Sequence, residues 1–198
     1  IVYRYTYTDC AGNSDDWVYT YTVDLTIGPD AGADAGSTVE CEADAVEPTD
    51  IPVISDHCGN LITPSGPVVG GTYEDCEGTI TYTWTYTDCA GNSDDWVYTY
   101  TVDLTIGPDA GADAGSTVEC EADAVEPTPP QVTDHCGNPI TPTGGLTTEG
   151  DYDGCEGTIV YRYTYTDCAD NSDDWVYTYT VDLTIGPDAG ADAGSTVE

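Results

Sequence analysis

The chain has no lysine, no phenylalanine and no methionine, and its only basic side chains besides two histidines are Arg4 and Arg162. Against these stand 38 aspartate and glutamate residues, which gives a formal net charge of −36. Nucleic acids and anionic membrane surfaces need clustered positive charge, so this composition excludes both as partners. The absence of lysine also excludes intramolecular Lys–Asn isopeptide bonds as a covalent brace.

Several other signals are missing. No run of about 20 apolar residues occurs, so we expect no membrane insertion, and no segment has helical periodicity. There is no Cys-x-x-Cys pair typical of zinc sites and no Asn-x-Ser/Thr acceptor of N-linked sugar. His57 and His135 each lie between Asp and Cys, too isolated for a metal site or a catalytic triad. We therefore predict that the protein is not an enzyme.

What the chain does contain is a repeat of 79 residues. Ile1–Glu40 recurs with few changes at Ile80–Glu119 and at Ile159–Glu198. Self-similarity at a fixed spacing is typical of arrays of modules, which favours a structural or binding role over catalysis. The chain is expected to be a window on a longer array. Its predicted organisation is the C-terminal part of a module at 1–27, complete modules at 37–106 and 116–185, linkers at 28–36 and 107–115, and a linker with the first strand of another module at 186–198.

The linkers have the same sequence and length in every copy, Gly-Pro-Asp-Ala-Gly-Ala-Asp-Ala-Gly. Small residues without large apolar side chains are typical of flexible connections. Their constancy favours a second interpretation, in which each one is an extended segment docked against a neighbouring module. A strand of about ten residues spans roughly 34 Å, which sets the scale of the advance from module to module.

Two long runs in each module alternate between aromatic or β-branched residues and threonine. In the central copy these are Tyr82–Thr87 and the run from Trp96 to Ile106, joined by a Gly-Asn loop, and they predict an antiparallel hairpin. The Tyr/Trp stripe is expected to form the core, with tyrosine hydroxyls near the surface. The fold class predicted is all-β, a sandwich. The shorter strands are predicted at Ser37–Glu42, Val53–Asp56, Ser116–Glu121 and Gln131–Asp134.

Nine cysteines are distributed as four per module with Cys10 left over, and the partner of Cys10 is expected upstream. Regular cysteines in small modules indicate disulfides and an extracellular or cell-surface location. Four cysteines allow three pairings. In an immunoglobulin-type sandwich a disulfide joins the second strand to the penultimate one, which favours one of the three pairings. It consists of Cys58–Cys89 and Cys41–Cys76 in one module, and of Cys136–Cys168 and Cys120–Cys155 in the next.

The sequence also resembles a known family. Cys76-Glu77-Gly78-Thr79-Ile80, leading into Trp84-Thr85-Tyr86-Thr87-Asp88-Cys89-Ala90-Gly91-Asn92, is similar to the hyalin-repeat-like (HYR-like) domains of the four-cysteine type, and so is Asp56-His57-Cys58-Gly59-Asn60. The resemblance covers the whole chain. It implies tandem immunoglobulin-like β-sandwich modules in large secreted or surface proteins of bacteria, with structural or adhesive roles and no catalysis.

Two kinds of candidate site remain. Calcium takes hard oxygen ligands, and the loop after the first long strand is rich in Asp and Asn, although ordinary turn chemistry explains the same residues. The candidate calcium ligands are Asp9, Asn13, Asp15, Asp16, Asp88, Asn92, Asp94 and Asp95. Exposed hydroxyls on the threonine ladder or beside prolines are candidate sites of O-linked sugar, against the alternative of a plain solvent-facing ladder. These are Thr63, Ser65, Thr99, Thr101, Thr105, Thr141 and Thr143.

The function predicted is a structural extracellular filament or stalk of tandem modules that contact one another head to tail, with O-linked glycans as a candidate coat. The alternative is a cell-surface adhesin array that binds a glycan or protein ligand, with calcium as a candidate ion. A ligand site usually lies on variable loops, here 50–75 against 129–154. An assembly contact must be the same in every copy, which the constant hairpin and linker satisfy.

Overall fold

A computed structural model describes residues 1–147, 149–188 and 190, and it confirms the all-β class. The helical residues in these ranges form two single turns of 3-10 helix, Glu42–Asp44 and Glu121–Asp123. No helix in the described part of the chain is long and apolar enough to cross a membrane. Most of the segment 186–198, predicted as a linker and first strand, lies outside the described residues.

The strands are short at the start of each repeat and long at its end. In chain order they are β1 (Val2–Thr8), β2 (Ser14–Thr20), β3 (Ala35–Val39), β4 (Ile54–Ser55), β5 (Leu61–Ile62), β6 (Ser65–Gly71), β7 (Glu77–Thr87), β8 (Ser93–Asp103), β9 (Ala114–Val118), β10 (Val132–Thr133), β11 (Pro139–Ile140), β12 (Thr143–Leu146), β13 (Gly157–Thr166) and β14 (Ser172–Val181).

Each complete repeat builds the same two sheets. A four-stranded sheet has the order β3-β8-β7-β6 in the first complete repeat. The second complete repeat has the equivalent order β9-β14-β13-β12. A two-stranded hairpin, β4–β5 or β10–β11, forms the second layer. Apolar side chains of that hairpin pack against the long strands, so the module is the predicted immunoglobulin-like sandwich, with one layer much smaller than the other.

The alternation of the long strands decides which side chains form the core. In the second complete repeat the buried aromatics of β13 and β14 pack with Val132 and Ile140 of the small hairpin. The tyrosine hydroxyls reach carbonyl oxygens at the edge of the core, as in the 2.5 Å contact from Tyr165 to Pro130 and the 2.8 Å contact from Tyr179 to Val125. A core of tyrosine is therefore compatible with burial, because each ring is buried while its hydroxyl is satisfied.

The described chain divides into two compact units that do not follow the sequence repeat. One unit contains Ile1–Gly36, Glu47–Gly71 and Ile80–Thr99. The other contains the second complete repeat together with Ser37–Val46, Thr72–Thr79 and the end of β8 from Tyr100. Three segments of the first complete repeat thus belong to the same compact unit as the repeat that follows it.

The first copy consists of the hairpin β1–β2, whose aromatic face is exposed. Trp17 is 51% exposed, whereas the equivalent Trp96 and Trp175 are 5% and 7% exposed. The segments that cover the hairpin in the two complete repeats lie at 29–79 and 108–158.

The strand predictions differ from the structure in their limits. The long hairpin is present, but β8 stops at Asp103 instead of continuing to Ile106, because Glu40 rather than a strand pairs with the backbone there. The first strand is Ala35–Val39 and begins inside the predicted linker. The strands β5, β6, β11 and β12 were not predicted, since they are short or glycine-rich and lack alternation.

The first strand of the second complete repeat pairs in parallel with its last. β9 lies beside β14 with Gly115 opposite Thr178, and Val118 opposite Val181. Glycine is required at this contact, because a Cβ on Gly115 would lie 2.4 Å from the Thr178 carbonyl oxygen, and Gly36 has the same relation to Thr99. The last glycine of each of these two linkers thus allows the first and last strands of the module to approach closely.

Replacing Gly115 with Ala is expected to destabilise the second complete repeat by about 1–3 kcal/mol, because the methyl group forces β9 away from β14. Gly186→Ala is the matched control, since a Cβ at Gly186 meets nothing within 4 Å. Denaturant unfolding followed by tryptophan fluorescence measures both variants. Equal stability of the two variants would contradict the close packing of β9 on β14.

Candidate functional site

The linker is docked on the module that follows it. In the second unit the Ala110 N–H donates to Asp173 Oδ2 at 2.8 Å, and Trp175 Nε1 donates to the Ala112 carbonyl oxygen at 3.1 Å. Ala110 is 4% exposed and belongs to the hydrophobic core. The linker is therefore an integral part of the following sandwich, as the docked interpretation expects.

The same docking contacts occur in the first unit with matching distances. They join the Ala31 N–H to Asp94 Oδ2 at 2.8 Å, Trp96 Nε1 to the Ala33 carbonyl at 3.0 Å, and the Val97 N–H to Asp34 Oδ1 at 2.9 Å. Because both copies of the linker make the same bonds to the module after them, the contact is a property of the repeat.

A second recurrent feature is a five-residue loop that begins with Asp and ends with Asn. In the example Asp167–Asn171, Asp167 Oδ1 accepts from the backbone N–H groups of Ala169 and Asn171, and Oδ2 accepts from Asn171 Nδ2 at 3.1 Å. We call these the Asp–Asn loops. They are Asp9–Asn13, Asp56–Asn60, Asp88–Asn92, Asp134–Asn138 and Asp167–Asn171.

In three of the Asp–Asn loops, hydrogen bonds within the loop favour the ionised form of the aspartate. The side-chain amide of Asn92 is the largest cause that lowers the pKa of Asp88, and backbone N–H groups add to it. The pKa of Asp56 and of Asp9 is lowered by the equivalent asparagines, Asn60 and Asn13. These three aspartates thus keep their hydrogen bonds as carboxylates at neutral pH. Each of the five loops also carries a cysteine.

Two of these loops form disulfides with the preceding repeat. Cys136, on the loop Asp134–Asn138, is bonded to Cys41 with a Cα–Cα distance of 5.6 Å. Cys168, on the loop Asp167–Asn171, is bonded to Cys76 with a Cα–Cα distance of 5.8 Å. Both distances are ordinary for disulfides. All four cysteines belong to the second compact unit, and we call their meeting place the junction.

The predicted disulfide pairing is wrong for these four cysteines. Cys41–Cys76 and Cys136–Cys168 were expected within modules, but each bond joins a cysteine of one repeat to the next repeat. The physical reason is that Cys41 and Cys76 lie at the end of their module that packs with the following one. The expected pairs Cys58–Cys89 and Cys120–Cys155 are also not formed, and these cysteines and Cys10 are unpaired and exposed.

A side-chain amide adds to the junction. Asn171 Nδ2 donates at 3.0 Å to the carbonyl oxygen of Leu104, in the segment just before the linker. Leu104 is 3% exposed, whereas the equivalent Leu183 is 49% exposed. In the first unit Asn92 makes the same bond, at 3.1 Å, to Leu25.

The candidate calcium ligands mostly have structural partners. Asp94 accepts the linker bond described above, Asp95 accepts from the Thr85 hydroxyl at 2.6 Å, and Asp16 accepts from Arg4 and Thr6. Asp15 accepts from the backbone N–H of Asp16. The described residues contain no group of three or more His, Cys, Asp or Glu placed to hold a metal ion. Calcium binding stays a prediction.

The candidate glycosylation sites lie at the surface in most cases. Thr63, Ser65, Thr101, Thr141 and Thr143 are exposed, and Thr99 is half-buried. Thr105 is exposed, but its hydroxyl donates to Glu40 Oε1 at 2.7 Å.

Glu119 closes the end of the β9–β14 pair. Its carboxylate accepts from the Thr184 N–H at 2.8 Å, from the Thr184 hydroxyl at 2.5 Å and from the Ile185 N–H at 3.3 Å. The Thr184 hydroxyl is the largest cause that lowers the pKa of Glu119 below its ordinary value of 4.5, followed by the Thr184 backbone N–H. Glu40 has the same relation to Thr105.

Comparison with protein families matches residues 1–23, 29–102 and 108–181 to the HYR-like domain with 4 cysteines. The chain belongs to this family. The matched segments begin at residues 29 and 108 and so include the linkers that dock on the modules after them. HYR-like domains with disulfides are typical of extracellular and cell-surface proteins. No curated protein matches the chain.

Replacing Glu119 with Gln is expected to lower stability at pH 7, because a side-chain amide cannot accept all three bonds. The pKa of Glu119 is lowered in the folded state, so its contribution is present above pH 4.5 and is lost as the pH falls through the folded value. The melting difference between wild type and variant should therefore shrink on acidification. Glu47→Gln, at an exposed carboxylate, controls for net charge. A difference that is independent of pH would contradict this role of Glu119.

Proposed function

We propose that the chain is a segment of an extracellular structural filament or stalk made of tandem HYR-like modules. The observation that carries the proposal is the parallel pairing of β9, where the second complete module begins, with β14, where it ends. A pull that enters the module through its linker draws β9 and β14 in opposite directions along their shared edge. The backbone hydrogen bonds between them are then loaded together in shear, instead of being broken one at a time.

Two further features support the same role. The hydrogen bonds that Glu119 accepts from the Thr184 and Ile185 N–H groups continue the contact beyond the last ladder pair of β9 and β14. The disulfides Cys41–Cys136 and Cys76–Cys168 place covalent bonds between consecutive repeats, in parallel with the linker. The two disulfides and the linker together join consecutive repeats by three covalent paths, which suits a segment that transmits tension.

The charge supports an extended, soluble object outside the cell. Neighbouring modules carry the same sign of charge, and repulsion between them opposes collapse and aggregation. The disulfides need an oxidising compartment. The exposed hydroxyls of Thr63, Thr141 and Thr143 are the best candidates for O-linked sugar, since they lie beside prolines and at the surface. We propose no catalytic activity.

One observation favours an adhesin array as the second candidate. The segments that differ between repeats expose several large apolar side chains. Groups of exposed apolar residues often mark interaction sites, whereas isolated ones are ordinary. These are Val53, Leu61, Val68 and Val69 in one repeat and Leu146 in the other, each more than 60% exposed. A ligand-binding surface on this protein would lie there.

Force spectroscopy on the full chain under reducing conditions, pulled from its two ends, tests the mechanical role of the β9–β14 pair. The disulfides Cys41–Cys136 and Cys76–Cys168 must be open in this measurement, because they would otherwise carry the pull past β9. The second complete module is expected to resist with a distinct unfolding force, and Gly115→Ala is expected to lower it, because that substitution weakens the sheared pair. Gly186→Ala should leave the force unchanged. An equal unfolding force in the wild type and both variants would contradict the proposal that the β9–β14 contact resists the pull.

Electron microscopy of the secreted material separates the two candidate functions. A structural filament predicts continuous fibres with a regular axial repeat. An adhesin predicts isolated arrays and specific retention on a glycan array, which is lost when Val68 and Val69 are replaced by Ser. Flexible beads without axial order would contradict the filament.

A further inference from the structure

The five unpaired cysteines occupy repeat positions whose equivalents are bonded at the junction. Cys41 and Cys76 lie where their module packs with the following one, and we call them and their equivalents Cys120 and Cys155 the tail cysteines. The cysteines on the Asp–Asn loops are the loop cysteines, namely Cys10, Cys58, Cys89, Cys136 and Cys168. Both bonds in the structure join a tail cysteine to a loop cysteine of the following repeat.

We propose that every unpaired cysteine bonds a cysteine of a further module of the same kind, so that two disulfides join consecutive modules at every junction. Cys58 and Cys89 receive the two tail cysteines of a preceding module. Cys120 and Cys155 bond the two loop cysteines of a following module. Cys10 is the loop cysteine equivalent to Cys89, and it receives a tail cysteine in the same way.

The loops that carry unpaired cysteines have the same internal hydrogen bonds as the loops that carry bonded ones. The loop with unpaired Cys58 has its Asp56 Oδ1 to Asn60 N contact at 2.8 Å, and the loop with bonded Cys136 has the same contact at 2.8 Å. The loop with unpaired Cys89 matches that of bonded Cys168, at 2.9 Å in both. The loops therefore need no rearrangement to accept a bond.

The unpaired tail cysteines lie on a face that is covered only when a module follows. Cys41 and Cys76 are 8% and 7% exposed, whereas Cys120 and Cys155 are exposed. The neighbouring apolar side chain changes in the same sense, since Leu104 is buried and Leu183 is half exposed. The exposed face of the second complete repeat therefore fits the Asp–Asn loops of another module.

The competing pairing within modules is incompatible with the junction. Cys58–Cys89 would be the equivalent of a Cys136–Cys168 bond, yet Cys136 and Cys168 are each bonded to the preceding repeat. Near-identical modules in one array are expected to fold alike, and one cysteine makes one disulfide. We therefore expect the bonds seen once at the junction to recur at every junction of the array.

Bond formation at each junction needs an oxidant. Two thiols lose two protons and two electrons for each disulfide, and a low-molecular-weight disulfide such as oxidised glutathione takes up both. A thiolate attacks that disulfide and releases one small thiol. The second cysteine then attacks the mixed disulfide and releases the other small thiol.

The inference rests on the proposed function only in requiring further modules, and thiol counting tests it separately from force or microscopy. The full chain is folded with oxidised and reduced glutathione, denatured without reduction and alkylated with iodoacetamide. Intact mass is expected to show five alkylated cysteines, those that are unpaired in the structure. Pairing within modules leaves only Cys10 free, so a single alkylation would overturn the proposal.

A chain in which residues 80–158 are duplicated in tandem gives the second measurement. The duplication adds four cysteines, and the proposal expects the number of free thiols to stay at five, because each added module also adds two disulfides. Peptide mapping with an acid-specific protease should find Cys120 and Cys155 bonded to the inserted and following loops. A rise to nine free thiols would overturn the proposal that two disulfides form at every junction, even if the original chain shows five.

If the thiol counts agree while microscopy shows no fibre, the disulfide proposal is supported and the filament proposal is contradicted. If fibres form but the thiols pair within modules, the filament proposal is supported and the disulfide proposal is contradicted.

Discussion

The structure depends on how a chain with almost no positive charge satisfies its carboxylates. The ion pairs among the described residues all come from Arg4 and Arg162. The carboxylates that shape the fold instead accept from neutral N–H and O–H groups of the chain itself. Aspartates close the Asp–Asn loops, Asp173 anchors the linker at Ala110, and Glu119 binds the backbone at Thr184. Hydrogen bonds to charged groups are stronger than hydrogen bonds between neutral groups. Each of these carboxylates therefore stabilises its local structure where no positively charged side chain is present.

The same interaction explains why the junction forms where it does. The Asp–Asn loop holds a cysteine on a rigid turn, and its asparagine also reaches the carbonyl oxygen of the preceding segment, as Asn171 does at Leu104. Loop, linker and disulfide are therefore parts of one arrangement. Two acidic modules in contact repel each other, and the covalent bonds keep them together under that repulsion.

Much of the fold was accessible from the sequence. Strict alternation located the long strands and the aromatic core, and the repeat located the modules. The short strands β4, β5, β10 and β11 are set by packing on that core more than by their own pattern. All five Asp–Asn loops have an Asp and an Asn four positions apart in the sequence. From the sequence, only Asp9–Asn13 and Asp88–Asn92 were considered, as candidate calcium ligands, and the cysteine of each loop was not connected with the turn.

The disulfide pairing could not be obtained from the sequence for a reason that lies in the repeat itself. A repeated sequence fixes each cysteine only to within a whole number of repeats. A bond from Cys41 to Cys58 and a bond from Cys41 to Cys136 join the same two types of position, and only the packing of one repeat on the next distinguishes them. The borrowed immunoglobulin pairing also assumed that one repeat is one compact body, whereas the compact unit takes in three segments of the repeat before it. Cys41, Cys76 and Leu104 are buried where the following repeat packs, so this end of a repeat stays uncovered until the next repeat has folded. An array that folds from its N-terminus therefore matures in one direction.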